Sequence, residues 1–263
     1  MTKTPAARGY LWLVLHQSRY DLLGILRNRQ ARFFTIALPV IFLFIFVGIF
    51  GNHVVPPGVK LSTTYVPGLS ALGVISSSFI NLVISITVQR EEGILKRRRA
   101  TPVPAWVLIV GRTFTAVCMS LAVVAVLMTI GRAVFGVDLR LAALPGIAFT
   151  VVVGSITFCV LGYAFSTVIR NEDAAQPMVQ AVMLPLYFIS GIFISNNAIP
   201  HWLQRVALVF PVAHLADGLR NAYDPTQRGI GIVWVDIGVM ALWAAGGLAI
   251  ALWRFSWVPS SAR

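Results

Sequence analysis

Six stretches of this chain are long and apolar enough to cross a bilayer, at about 33–50, 66–88, 106–130, 141–168, 177–195 and 232–253. A spanning helix needs ~20 mostly apolar residues. A backbone inside lipid must satisfy its own hydrogen bonds, which helices do residue by residue. Only 11% of the residues are charged, against about a quarter in soluble domains, so too little polar surface exists to cover a water-soluble body of this size. The expected fold class is all-α, a polytopic membrane protein with six transmembrane helices in a single domain, 33–254. Pro39 in the first run is tolerable because neighbouring helices re-satisfy the freed backbone groups. The fifth run is short and contains Pro177 and Pro185, which points to a kinked or incompletely spanning helix. Cys118 and Cys159 both lie inside apolar runs, so neither a structural disulfide nor a zinc site is expected.

The formal net charge is +12, and its bases gather at the connections between apolar runs. Nucleic-acid binding is not expected, because no basic stripe with interleaved aromatics is present. With the amino terminus inside, the inner side holds fifteen Lys and Arg residues and the outer side six. That asymmetry places both termini, including the tail at 255–263, in the cytoplasm. Residues 1–32 precede the first span, and within them Leu11, Leu15, Leu22 and Leu26 recur at near-helical spacing among Arg19, Arg27, Arg29 and Arg32. Such a segment suits a helix lying in the cytoplasmic interface, with membrane lipids as partners of its bases. It equally serves as a positive flank to the first span, and the two readings are compatible.

The densest charge sits in one connection, "QREEGILKRRRATPVP" at 89–104. The same asymmetry makes it cytoplasmic and gives its bases a first role as a topological anchor. Several chemistries are argued against by what the chain lacks. Asp236 lies near the outer end of the last run, no Asp or Glu lies centrally in any run, and His16, His53, His201 and His214 fall outside the runs. Proton-coupled carriers and intramembrane hydrolases normally place ionisable or metal-binding groups at depth. A phosphate-cradling loop needs a Gly-Lys pair, but Lys3, Lys60 and Lys96 follow Thr, Val and Leu. Uphill transport would therefore draw its energy from another subunit.

Two segments carry a resemblance. One is the E-x-G-x-L element followed by bases and a Pro, "EEGILKRRRATPVPAWVLIVGR"; the other is "LPLYFISGIFISNNAIPHWLQRVALVFPVAHLADGLRNAY" at 184–223. Together, in this order and over essentially the whole chain, they resemble the type-2 ATP-binding-cassette (ABC) export permeases, the group that includes daunorubicin-resistance permeases. The resemblance implies that Glu91, Glu92, Gly93, Ile94 and Leu95 form part of a coupling helix within 89–105. Ile94 and Leu95 would bury themselves in an ATP-binding subunit while the glutamates pair with basic groups and favour a helix amino end. Arg97 and Arg98 would contact that partner or the anionic leaflet, or serve topology alone. It also implies that 196–231 is an external cap of one or two short re-entrant helices, with Pro200 and Pro211 as helix starts and Trp202 and Phe210 as apolar contacts. A surface-lying amphipathic loop is the plainer reading of that segment.

In the second run, Ser70, Ser77, Asn81 and Ser85 recur at helical spacing, with Ser78 close by. Such a stripe faces protein or a cavity rather than lipid. It would either wall a substrate path between two permease copies or pack helices through small polar residues. Tyr187 and Phe188, with Phe193, would contact a lipophilic substrate or anchor the span at the interface. The resemblance implies further a bacterial plasma-membrane exporter subunit that is not itself an enzyme. It would bind no cofactor, leave ATP and Mg to two ATP-binding subunits, and pair with a second, identical permease copy. A drug-like or lipidic cargo is expected, with polysaccharide export as the alternative. An ion-coupled or facilitative carrier, and a membrane assembly scaffold, stand as readings from other classes.

Overall fold

The computed structural model describes residues 7–55, 59–99, 104–137, 140–169, 171–194, 199–224, 226–227 and 229–254. The expected carboxy-terminal tail lies outside them. The chain begins with α1 (Ala7–Arg27) and α2 (Arg29–Arg32), which passes through a π-helical turn, Phe33–Ala37, into α3 (Leu38–Phe50). Pro39 stands just past this π turn, within a helical stretch that runs unbroken from Arg29 to Phe50. A two-residue antiparallel ladder, β1 (Val54–Val55) with β2 (Val59–Lys60), leads into α4 (Leu61–Ile75). A second π turn, Ser76–Ile80, joins α4 to α5 (Asn81–Glu91), so that 61–91 is one continuous rod. Then come α6 (Ile94–Arg99), α7 (Ala105–Phe135), α8 (Leu144–Ser166), α9 (Glu172–Ile189), α10 (His201–Ala207), α11 (Pro211–Tyr223) and α12 (Trp234–Arg254).

Among the described residues, five helical stretches are long and apolar enough to cross a membrane: Arg29–Phe50, Leu61–Glu91, Trp106–Phe135, Leu141–Ser166 and Trp234–Trp253. The sixth expected run corresponds to α9, which has 18 residues and opens on Glu172 and Asp173. At 1.5 Å per residue it still rises about 27 Å. Its amino end lies near α5, and the segment just beyond its carboxy end reaches α4, where a Cβ on Gly68 would sit 2.8 Å from the Ile192 carbonyl oxygen. It therefore runs from one end of the bundle to the other. Asn171 caps it, its side chain accepting from the Ala174 N–H at 3.1 Å, as the first turn of a helix requires.

The rod at 61–91 is the axis of the molecule: 78% of an 18-residue apolar stretch of it is buried, against 17% of such a stretch in the last span. Leu69, Ile75 and Val83 of the rod pack with Leu43 of α3, Leu127 of α7, Phe158 of α8 and Leu215 of α11, all fully buried. Lipid tails are as apolar as leucine, so this core is held by close packing and internal hydrogen bonds more than by transfer from water. On α12, Trp234, Val235, Leu242, Leu252 and Trp253 are exposed, the pattern of a lipid-facing helix.

The amino-terminal helix docks on α7. Ser18 is buried, its hydroxyl donating to the Val14 and Gly111 carbonyls at 2.7 and 2.9 Å, and the Thr115 hydroxyl donates back to the Ser18 carbonyl. Leu11, Trp12 and Leu15 point away from the protein, 63%, 61% and 49% exposed. An apolar face left open beside a bundle of this kind suits a helix lying in a lipid interface.

Candidate functional site

The charged connection is built differently from a single coupling helix. Glu91 is the last residue of α5, Glu92 caps it, and Gly93 turns the chain at φ 70°. That left-handed conformation is costly for any residue with a Cβ. Only Ile94 and Leu95 of the five expected coupling residues enter α6. The expectation that both glutamates favour a helix amino end is thus corrected: Gly93 separates them from α6, whose first turn contains no acidic residue. Leu95 is buried in a cluster with Leu82, Ile86, Ala116 and Tyr163. Ile94 is half-buried, while Glu92 and Arg97 are exposed, an Arg97 Nη2–H donating to the Glu92 carbonyl at 3.3 Å. The Arg98 side chain lies outside the described residues.

The residue that ties this element to the bundle is Arg90, which a count of topological charges treats like any other base. It is 6% exposed. Its guanidinium donates to the carbonyls of Ser166 and Ile169, at the end of α8 and just beyond it, at 3.0 and 2.6 Å, and to Glu91 Oε1 at 3.2 Å. Orphan carbonyls at a helix end are natural acceptors, and a planar fork of donors can serve two of them at once. Glu91, expected to meet a basic partner, is engaged within its own chain.

The polar stripe is split by the second π turn. The Asn81 N–H donates to the Ser76 carbonyl, five residues back, and the extra residue rotates everything beyond it relative to α4. Ser70 therefore faces α11, 3.4 Å from the Tyr223 hydroxyl. Ser77 meets Ser120 of α7, oxygen to oxygen at 2.6 Å. Asn81 Nδ2 donates to Thr35 Oγ1 at 2.6 Å, joining the two π turns. Ser85 accepts from Gln89 at 3.0 Å. π turns concentrate where a helix departs from pure packing needs.

Ser77, Asn81 and Ser85 line a cleft of about 450 Å³, and Ser70 does not. Tyr20, Asp21 and Asn28 line it from the amino-terminal segment, Phe34 from the first π turn, Gln89 and Glu92 from the rod's end, Arg112 from α7 and Gln176 from α9. Tyr187 and Phe188 are elsewhere. Both ring-pack on Phe193, which also contacts Phe42 and Phe46 of α3. Tyr187 is 3% exposed and Phe188 44%.

At the end opposite Arg90, the expected cap consists of two short helices, α10 and α11. Pro200 caps α10 and Pro211 opens α11. Trp202 is 67% exposed. Phe210 stacks on Trp243 of α12, and the Trp243 indole donates to the Val209 carbonyl at 2.8 Å. Most of α11 is buried: Val212, Leu215 and Leu219 sit in the main core. Arg220 holds Asp217 and the carbonyl of Gly191. His214 places Nδ1 2.7 Å from Asp236 Oδ1 and Nε2 2.9 Å from the Leu208 carbonyl oxygen. No spacing in the sequence announces that pair, because it joins two helices 22 positions apart.

The elements just described, from α1 through α11, coincide with the region matched by the sequence model of a known family, the ABC-2 type transporter, at residues 14–223. The chain belongs to the ABC-2 type transporter family. It is 22% identical over 200 residues to the probable multidrug ABC transporter permease YbhR of Escherichia coli (strain K12), covering 75% of this chain and 54% of that protein. Against the inner membrane transport permease YadH of the same strain, identity is 24% over 194 residues, covering 72% of this chain and 75% of YadH. Against the daunorubicin resistance ABC transporter permease protein DrrB1 of Streptomyces coeruleorubidus it is 22% over 216 residues, covering 82% and 74%. The chain spans about half the length of YbhR. Family and spans together make it an integral membrane protein.

Proposed function

We propose that this chain is the membrane-spanning subunit of an ABC exporter, paired with a second permease copy and driven by separate ATP-binding subunits that carry the ATP and magnesium. The observation that carries the reading is Arg90. A force applied at 92–97 reaches α5 through the Gly93 turn, and reaches α8 through the guanidinium on the Ser166 and Ile169 carbonyls. Exposed Glu92 and Arg97 offer charges of both signs to a docking groove. Of the drug-like or lipidic cargo expected, the names of YbhR and DrrB1 support the drug-like one. Both termini and α6 then lie on the cytoplasmic side, the side on which the Lys and Arg count is higher.

Co-expression with an ATP-binding-cassette subunit encoded beside this chain tests the reading. Detergent-solubilised wild type is expected to bring that subunit down and to support ATP-dependent export from inverted vesicles. Replacing Glu92 and Arg97 together is expected to weaken recruitment while insertion stays intact. A chain that recruits no such subunit under any condition would sink the proposal.

A further inference from the structure

Helix α6 has six residues, and a helix that short does not hold in water by itself. Some contact with the bundle must seat it. Among 92–97 the buried side chain is Leu95, 6% exposed, while Glu92, Lys96 and Arg97 are exposed and Ile94 is half-buried. The cluster that receives Leu95 shares no residue with the main core. It includes Leu82 and Ile86 of the rod, Ala116 of α7, Cys159 and Tyr163 of α8 and Ala251 of α12, so four long helices meet in one patch with α6. The alanines are small enough to let helices close on one another. The helix α8 also approaches both its neighbours tightly. A Cβ on Gly162 would lie 3.0 Å from Leu82 Cδ2, and one on Gly247 of α12 would lie 3.0 Å from Leu161 Cδ2. The Cys159 thiol donates to the Ser78 carbonyl of the second π turn at 3.6 Å. An interior packed this closely has little give and passes a displacement on.

We propose that Leu95 is a positioning residue: it seats α6 in the bundle and carries the motion of α6 into α7, α8 and α12, while an ATP-binding subunit grips the exposed Glu92, Lys96 and Arg97. The sequence sends Leu95 into that subunit, but the fold turns it the other way, into its own chain. Gly93 and Arg90 tie this end to the rod and to the end of α8; Leu95 extends the hold to α7 and α12. The inference rests on the transport reading and adds a division of labour within a few residues. The exposed side chains recruit, and the buried one couples.

The test uses the full chain in complex with the ATP-binding subunit encoded beside it. Cys159 is a native reporter, fully buried within the cluster. Its modification by N-ethylmaleimide is followed by peptide mass mapping, which keeps it apart from Cys118. In the wild-type complex a non-hydrolysable ATP analogue is expected to change that rate roughly fivefold, since labelling follows the population of the opened cluster. Leu95→Ala empties the seat. It is expected to keep recruitment and ATP hydrolysis at wild-type levels and to lose the response of Cys159 to nucleotide. Leu95→Met conserves volume and is expected to restore that response. Loss of recruitment in Leu95→Ala, on the scale expected for Glu92 and Arg97, would place Leu95 in the partner interface and overturn the proposal. A nucleotide response that survives Leu95→Ala would overturn it as well. If Leu95→Ala does not insert, the wild type decides. A wild type that recruits the subunit but whose Cys159 ignores nucleotide overturns this inference and leaves the transport reading standing; one that recruits no subunit overturns both.

Discussion

The two ends of this bundle are tied by polar contacts of opposite kinds. At one end Arg90 carries a charge that no physiological pH removes, and it is matched to two helix-end carbonyls and a carboxylate. At the other end His214 bridges Asp236 and the Leu208 carbonyl, and its hold depends on a proton. A carbonyl oxygen accepts only, so Nε2 must carry hydrogen. For Nδ1 and Asp236 to bond as well, a further proton must lie between them, whichever of the two is written as its owner. The Arg90 end is a fixed tie, and the His214 end is a conditional one.

The largest effect is expected at the fixed tie. Arg90→Ala removes the guanidinium donors from the Ser166 and Ile169 carbonyls and the contact with Glu91. Removing one member of a buried charged contact typically costs about 3–5 kcal/mol. Denaturant or thermal unfolding in detergent is expected to show a loss at the lower end of that range, unchanged between about pH 5 and 8, the window in which imidazoles titrate. Arg90→Lys should recover only part, since an ammonium is a point charge without a planar fork. A stability loss below about 1 kcal/mol would place Arg90 among ordinary surface bases and dissolve the contrast.

Next in size is the cap. The tie rests on a proton shared between His214 and Asp236, so it is lost when either partner is removed. Asp217 is the other carboxylate acting on Asp236, and it is engaged by Arg220. From α8, Thr150 is the polar neighbour of Gly218. Measured at one pH, amide hydrogen exchange in α10 and α11 is expected to accelerate several-fold in His214→Phe. Asp236→Asn is the sharper probe. Its amide donates to Nδ1 of a neutral imidazole whose Nε2–H still serves Leu208, so exchange should stay slow in that variant. Acceleration in Asp236→Asn as large as in His214→Phe would break the comparison from this side.

The spans were legible because the bilayer imposes length and composition on each of them separately. Pro200 and Pro211 likewise announced two short helices, since proline starts a helix whatever it later packs against. Neither tie was legible. Arg90 looks like the other bases of its connection until the end of α8 arrives beside it, and His214 acquires its partner only when α11 folds back on α12. The stripe failed for a local reason with a distant cause. Counting at 3.6 residues per turn puts Ser70 and Asn81 on one face, but the π turn at Ser76–Ile80 inserts a residue between them. Asn81 thereby reaches Thr35 of the other π turn, a pairing that no single-helix pattern encodes.

Midway between the two ends lie neutral contacts, and these should be worth least. Thr35→Val removes the acceptor for Asn81, and interhelical hydrogen bonds of this kind average about 0.6 kcal/mol within membranes. Ser77→Ala should cost no more. Its hydroxyl already bonds the Gly73 and Val74 carbonyls at 2.9 and 3.0 Å, and Ser120 is an additional partner at 2.6 Å. That redundancy makes Ser77 a clean discriminator between packing and pathway. It lines the cleft while Ser70, equally buried, does not. If the lower rod walls the route of the cargo, Ser77→Phe should change the range of exported compounds in vesicles, and Ser70→Ala should leave that range alone. If both substitutions shift only unfolding, the stripe is helix packing, and the polar interior between the two ties is structural from end to end.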